Sequence, residues 1–452
     1  MTETVAHSST QRGQFIDVLR NHAFLRLWLV QAMSQTAQNM TNFALLILVQ
    51  VIVDRYEIAQ ANTAIGLTVL SFSVPALFFS PPAGVIVDRS NKRTVLVITN
   101  ALRGVAVIGF MLMQPEWRPL FALAVLYSIT FASGAIGQFF GPALGAIVPL
   151  LVPGKDNIHA NALLNLTFTV SQIAGFAAIG PLLIKVIGLH DVLFGIAAIF
   201  ALSTVLSLTI PSTPPTPRAT ENRARLIRGV LAEMREGLVF ILHSPILMKA
   251  IGYLSLATAS YLLVATLGPS FINGVLLLPR QDIVYLLGPA GVGIVLGALF
   301  VGRLSGRIGT EWTIDFGLTG AGTVLMLLAL TPTVGSAVWE RAGQIGTLTI
   351  AIAALFAGLL GLANSLVLVP SQSLLQSASP DEIRARVYAT FYTVSNSVAF
   401  LPIIFAGALA DLFGVVKVLV GLGAILAAIG VVQIIVHHAS NLNNQPRSDR
   451  LQ

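Results

Sequence analysis

The sequence predicts an all-α, polytopic membrane protein with twelve transmembrane helices in two pseudo-symmetric six-helix bundles. Three observations carry this. Only 10% of the 452 residues are charged and 55% are hydrophobic, at a mean hydropathy of +0.83, whereas a soluble domain carries about 25% charge. Apolar runs longer than the roughly 20 residues needed to cross about 30 Å of hydrocarbon recur twelve times. A short polar turn after the second run has an echo after the eighth.

The elements follow in order. Met1 to Arg20 is polar and mixed, without a cleavable signal pattern, so the first helix is expected to remain as an uncleaved anchor. Spanning segments are expected near 24–53, 63–87, 94–114, 119–149, 160–187, 190–210, 245–275, 282–304, 312–331, 344–373, 385–409 and 414–437. Pro142 and Pro149 predict a kinked or interfacial end to segment 4, and Gly180-Pro181 a kink in segment 5, as hinge or as packing. Gly291, Gly293 and Gly297 in segment 8 predict close helix contact. Residues 211–243 break the apolar pattern with four prolines, then a run rich in Arg and Glu that reads as an amphipathic surface helix. The domains are therefore a 1–210 bundle, a cytoplasmic linker at 211–243 and a 244–452 bundle.

Charge sets the orientation. Nineteen of the 26 lysines and arginines fall on one side, six on the other, and Arg103 inside a helix. The rich side is cytoplasmic by the positive-inside rule, which puts both termini inside. The net charge of +7 lies in these loops and is no nucleic-acid footprint. There are no cysteines, which excludes disulfides, thiolate metal sites and Cys nucleophiles.

The polar turn is Gly84-Val85-Ile86-Val87-Asp88-Arg89-Ser90-Asn91-Lys92-Arg93. Asn91 is read as tolerating a left-handed backbone. The echo is Gly302-Arg303-Leu304-Ser305-Gly306-Arg307, with Gly306 where Asp88 would be.

Polar side chains in a membrane helix mark a face turned away from lipid. In segment 1, Gln35, Gln38, Asn39 and Asn42 fall at i, i+3, i+4 and i+7, beside Gln31. Segment 5 carries Asn161, Asn165, Thr169 and Gln172. Segment 7 offers Tyr253, Thr258 and Tyr261, and segment 11 offers Tyr388, Tyr392 and Asn396. Tyr127, Gln138 and Asn364 stand singly in other segments. These residues either line a cavity or hydrogen-bond helix to helix. The substrate-binding candidates are Gln35, Gln38, Asn39, Asn42, Asn165, Gln172, Tyr261, Tyr392 and Asn396. Arg103 sits about 13 Å into segment 3, where it must pair, reach water or snorkel. The histidines lie in loops or at helix ends, with His437-His438 expected at the interface. The carboxylates near membrane depth, Asp88 and Asp315 among them, fall near helix ends. No metal-ligand set, phosphate loop or catalytic triad is present, so neither a metal, a cofactor nor an enzymatic activity is expected.

The turn resembles the signature loop between helices 2 and 3 of the major facilitator superfamily. Phe24-Leu25-Arg26-Leu27-Trp28-Leu29, Phe140-Gly141-Pro142-Ala143, Pro149-Leu150-Leu151-Val152-Pro153, Ala160-Asn161-Ala162-Leu163 and Leu102-Arg103 resemble its macrolide-efflux and enterobactin-exporter branch. That branch is similar to drug:proton antiporters. The resemblance implies a proton-coupled exporter of amphipathic small molecules in a bacterial inner membrane, acting as a monomer by alternating access. The alternatives are an uncoupled facilitator, a lipid-type transporter, or a scaffold that moves nothing. The resemblance further implies that Asp88 approaches the cytoplasmic start of helix 11, where Arg384 and Arg386 stand. Gly84, Asp88, Arg89, Arg93, Arg103, Arg384 and Arg386 would then form a conformational latch. A bland reading pairs Asp88 with Arg89 or Arg93 only.

Overall fold

The computed structural model describes residues 18–113, 116–152, 156–212, 238–339, 347–378 and 405–443, with positions 154, 232, 235 and 236. Among the described residues every regular element is a helix and none is a strand. Eleven helical runs are long and apolar enough to cross a membrane. Of the segment expected at 385–409 only the end is described, helical over 405–413. Most of 213–237 also lies outside the described residues.

The chain divides into two compact units, Met1–Arg235 and Glu236–Gln452. The first contains α1 His22–Arg55, α2 Ala61–Ser73, α3 Pro75–Asp88, α4 Lys92–Met111, α5 Pro119–Leu151, α6 Asp156–Gln172, α7 Gly180–Ile187 and α8 Leu189–Leu208. Its core sets Phe24, Leu27 and Val30 of α1 against Leu96, Phe140, Ile147 and Leu164. Phe121, Phe194 and Leu202 point outward. With lipid as the outer solvent, burying apolar surface does not hold such helices together. Close packing and interhelical hydrogen bonds do.

Three local features depart from the sequence reading. The second span loses its regular hydrogen bonding at Val74, which keeps α-helical angles, because Pro75 lacks the N–H that would continue α2 and serves instead in the first turn of α3. The break lies against Gly134 of α5, where an added Cβ would come 2.7 Å from the Phe72 carbonyl. By contrast, α5 runs unbroken through Pro142 and Pro149. A spanning helix tolerates a missing N–H where neighbours take up the freed groups. In the fifth span, Pro181 follows a π-helical turn, Ile173–Ile179. A π turn beside a proline is itself a place where a helix bends. That turn presses on α1: a Cβ on Gly175 would meet the Thr36 carbonyl at 2.7 Å. Gly180 itself lies within van der Waals reach of α1, with Phe43 Cδ1 3.4 Å from where its Cβ would stand.

The second unit contains α9 Pro245–Gly274, α10 Val284–Ile308, α11 Thr310–Trp339, α12 Thr347–Ala378 and α13 Val415–Asn443. Glycines hold its helix pairs close. A Cβ on Gly297 would lie 2.7 Å from Ser365 Cβ, and one on Gly293 would overlap the Gly358 carbonyl, so α10 and α12 touch backbone to backbone. Gly322 and Gly430 do the same for α11 and α13. Gly309, at φ +94°, makes the tight joint between α10 and α11, a conformation that L side chains rarely adopt.

Candidate functional site

Four polar constellations are embedded in this scaffold. The first is the stripe on α1. Gln35, Gln38 and Asn42 are half-buried, and Gln38 Nε2 donates to Asn42 Oδ1 at 3.0 Å. The opposite side of the helix is packed, with Met40, Ala44 and Ile47 buried. Two members serve packing. Asn39 is buried beside Gly175 and donates to its own helix at the Gln35 carbonyl, 2.8 Å away. Gln31 donates to the Leu164 carbonyl of α6 at 2.8 Å. On α6, Asn165 and Thr169 are exposed and Gln172, the last residue, is half-buried. Tyr127 donates to the Ala64 carbonyl and Asn364 to the Ala257 carbonyl, so both tie helix to helix.

The second constellation surrounds Arg103. Its side chain does not snorkel; it is 4% exposed and stays inside the unit. Nη1 donates to Ser34 Oγ at 3.1 Å and Nη2 to the Gly137 carbonyl at 3.2 Å, while the guanidinium carbon lies 4.8 Å from the centre of the Phe140 ring. Ser34 Oγ donates to Asn100 Oδ1 at 2.6 Å, and Asn100 Nδ2 to Ser207 Oγ at 3.3 Å. One network thus joins α1, α4, α5 and α8. Among the described residues no carboxylate pairs with Arg103.

The third is the turn of the opening motif. Asn91 is not left-handed. At φ −69°, ψ 112° it is the N-cap of α4, its Oδ1 accepting from Arg93 N at 3.1 Å. The cap explains the residue: the first N–H groups of a helix need an acceptor, and Asn supplies one. Lys92 is buried and donates to the Asp88 carbonyl at 2.8 Å. The Asp88 carboxylate is exposed and has no partner among the described residues. Gly84 has open space where a Cβ would stand, as does Gly302 in the second copy.

The fourth was hidden in the sequence. His437 is buried, at 7% exposure. Its Nδ1 lies 2.5 Å from Asp315 Oδ2, and its Nε2 lies 2.6 Å from Glu311 Oε2 without the angle of a hydrogen bond. Asp315 is near a helix end, as its position implies, yet fully buried. The only signal was the i, i+4 spacing of Glu311 and Asp315; the histidine lies 122 residues further on.

Tyr388, Tyr392, Asn396, Arg384 and Arg386 lie outside the described residues, as does the side chain of Tyr261. Among the described residues no group of His, Asp and Glu could hold a metal ion.

Comparison with known proteins agrees with this architecture. A family model described as Major Facilitator Superfamily matches residues 27–402. The MFS-type transporter YfiS of Bacillus subtilis is 25% identical over 84% of this chain and 86% of its own length. The multidrug efflux pump Tap of Mycolicibacterium fortuitum is 23% identical over 84% and 88%. The enterobactin exporter EntS of Escherichia coli is 26% identical over 55% and 57%. A crystal structure of the nucleoside transporter NupG superposes with a TM-score of 0.66 at 14% identity, over 92% of this chain and 98% of that one. That likeness speaks to fold alone.

Proposed function

Because the chain belongs to the Major Facilitator Superfamily and is a multi-pass membrane transporter, we propose that it exports amphipathic, drug- or macrolide-like molecules by alternating access, driven by protons. The observation that carries export is that similarity to an efflux pump runs over 84% of the chain. The half-buried amide face of Gln35, Gln38 and Asn42 supports small-molecule binding, since unsatisfied amide groups facing lipid would be costly. Asn165, Gln172, Tyr261, Tyr392 and Asn396 complete the proposed binding set. The protein acts as a monomer in a bacterial inner membrane with both termini in the cytoplasm, the side that the basic loops favour.

Everted membrane vesicles test this, with ethidium and erythromycin as probes. Uptake into vesicles carrying the protein is expected to exceed that of empty vesicles and to collapse on adding a protonophore. Equal uptake of both probes, with the protein confirmed in the membrane, would count against export. The absence of native cysteines permits a test of the face. Gln38→Cys and Asn42→Cys are expected to react with an aqueous thiol reagent at least about tenfold faster than Met40→Cys and Ile47→Cys, which face packed helices.

A further inference from the structure

We propose that Glu311, His437 and Asp315 form a proton-binding relay of the second unit, in which the imidazole carries a proton from the exposed Glu311 to the buried Asp315. The inference rests on the proton-driven reading above and names a site for it.

The geometry is graded. Glu311, in the first turn of α11, has a side chain 47% exposed. One turn further in, Asp315 is 0% exposed and is the only buried aspartate among the described residues. His437 of α13 touches both carboxylates, one with each ring nitrogen. The far oxygen of Asp315, Oδ1, is buried and without a hydrogen-bond partner. A clamp built only to hold α11 against α13 would gain from satisfying that oxygen, since an unpaired buried acceptor costs about 1–3 kcal/mol. A carboxyl group that takes up and gives back a proton has a use for the spare site.

The charged surroundings are few. From α9, Lys249 and Tyr253 lie within electrostatic reach, and the Tyr253 hydroxyl is buried without a hydrogen-bond partner. Trp312 lies 6.1 Å from the imidazole, ring centre to ring centre. The helix α12, packed on α11, carries no titratable side chain, while α10 contributes Arg303 and Arg307 near its end. On α13 itself His438 is exposed and Lys417 stands near the opposite end.

The transfer balances. It starts with protonated Glu311, His437 protonated on Nδ1 and ionised Asp315. The Glu311 O–H bond breaks as Nε2–H forms; Nδ1–H breaks as the Asp315 O–H forms. It ends with ionised Glu311, the Nε2–H tautomer and neutral Asp315, the total charge unchanged.

Infrared difference spectra of the purified full chain in nanodiscs, titrated against pH, test this. A carboxylic-acid C=O band is expected to titrate in the native protein and to shift when aspartate is labelled with carbon-13 at its carboxyl, an assignment that needs no variant. The band should vanish in Asp315→Asn. Its midpoint should move by about one pH unit or more in Glu311→Gln and in His437→Gln, a tenfold change in proton affinity. No titrating aspartate band in the native protein, or the same midpoint in folded Glu311→Gln and His437→Gln, overturns the relay and leaves a structural clamp. The measurement contains no transported compound. If a pH gradient fails to drive ethidium transport while the band titrates, the coupling reading falls and the proton site stands.

Discussion

A guanidinium inside a lipid-embedded unit must be compensated from within. Arg103 meets this with a hydroxyl, a carbonyl and an aromatic face, and no acid among the described residues. The fork of the guanidinium reaches α1 and α5 at once, which a lysine ammonium cannot reproduce. Arg103→Lys is therefore expected to lower the midpoint of thermal unfolding in detergent nearly as much as Arg103→Met. The loss should be about 1–3 kcal/mol, the worth of one or two hydrogen bonds to a charged group. A Lys variant as stable as the native protein would show that charge alone is what the site requires. Asn91 acts more locally. Asn91→Ala removes the acceptor for the first N–H groups of α4 and should cost about 1 kcal/mol. Asn91→Gly should cost only a few tenths if capping alone is at stake.

At the scale of the element, helices here meet through glycine. Where α10 crosses α12, α11 crosses α13, and the π turn crosses α1, backbone atoms occupy the space that a side chain would need. Dispersion then acts over short distances and the carbonyls come within reach of neighbouring Cα–H groups. Gly175→Leu should force α1 and the π turn apart and destabilise the first unit by about 1–3 kcal/mol or more, the scale of overpacking. Gly84→Ala, where space is open, should leave unfolding unchanged. If the two variants unfold alike, close packing at Gly175 is not what holds the fifth span to the first.

For the molecule as a whole, the opening motif is where stability and transport are expected to separate. Asp88 is exposed and its carboxylate makes no bond among the described residues, so removing its charge should leave the first unit intact. The partner proposed for it, at Arg384 and Arg386, lies outside the described residues. Asp88→Asn is expected to cut ethidium transport at least about tenfold at unchanged expression, because about 1.4 kcal/mol is a tenfold shift between two conformational states. It should also raise thiol labelling of a cysteine at a cytoplasm-facing position. Native transport and labelling in that variant would reduce the motif to a turn.

Composition and periodicity alone determined the class of this protein. Long apolar runs have no stable place outside a bilayer, and a bilayer admits them as helices with every backbone group bonded internally. The polar face of α1 was legible for the same reason: an amide cannot look at lipid, and helical spacing says which amides look the same way. What sequence could not decide was which polar side chain meets which. Asn39 read as part of the same face as Gln38, and only its burial beside Gly175 made a packing residue of it. Asn91 read as tolerating a left-handed backbone, and only its backbone angles told a cap from such a turn. The break at Pro75, the π turn before Pro181 and the unbroken α5 depended on what each proline found beside it. The triad of Glu311, His437 and Asp315 was least visible of all. Its acids and its imidazole are far apart along the chain, and a helix pair crossing at Gly322 and Gly430 is what brings them within bonding distance.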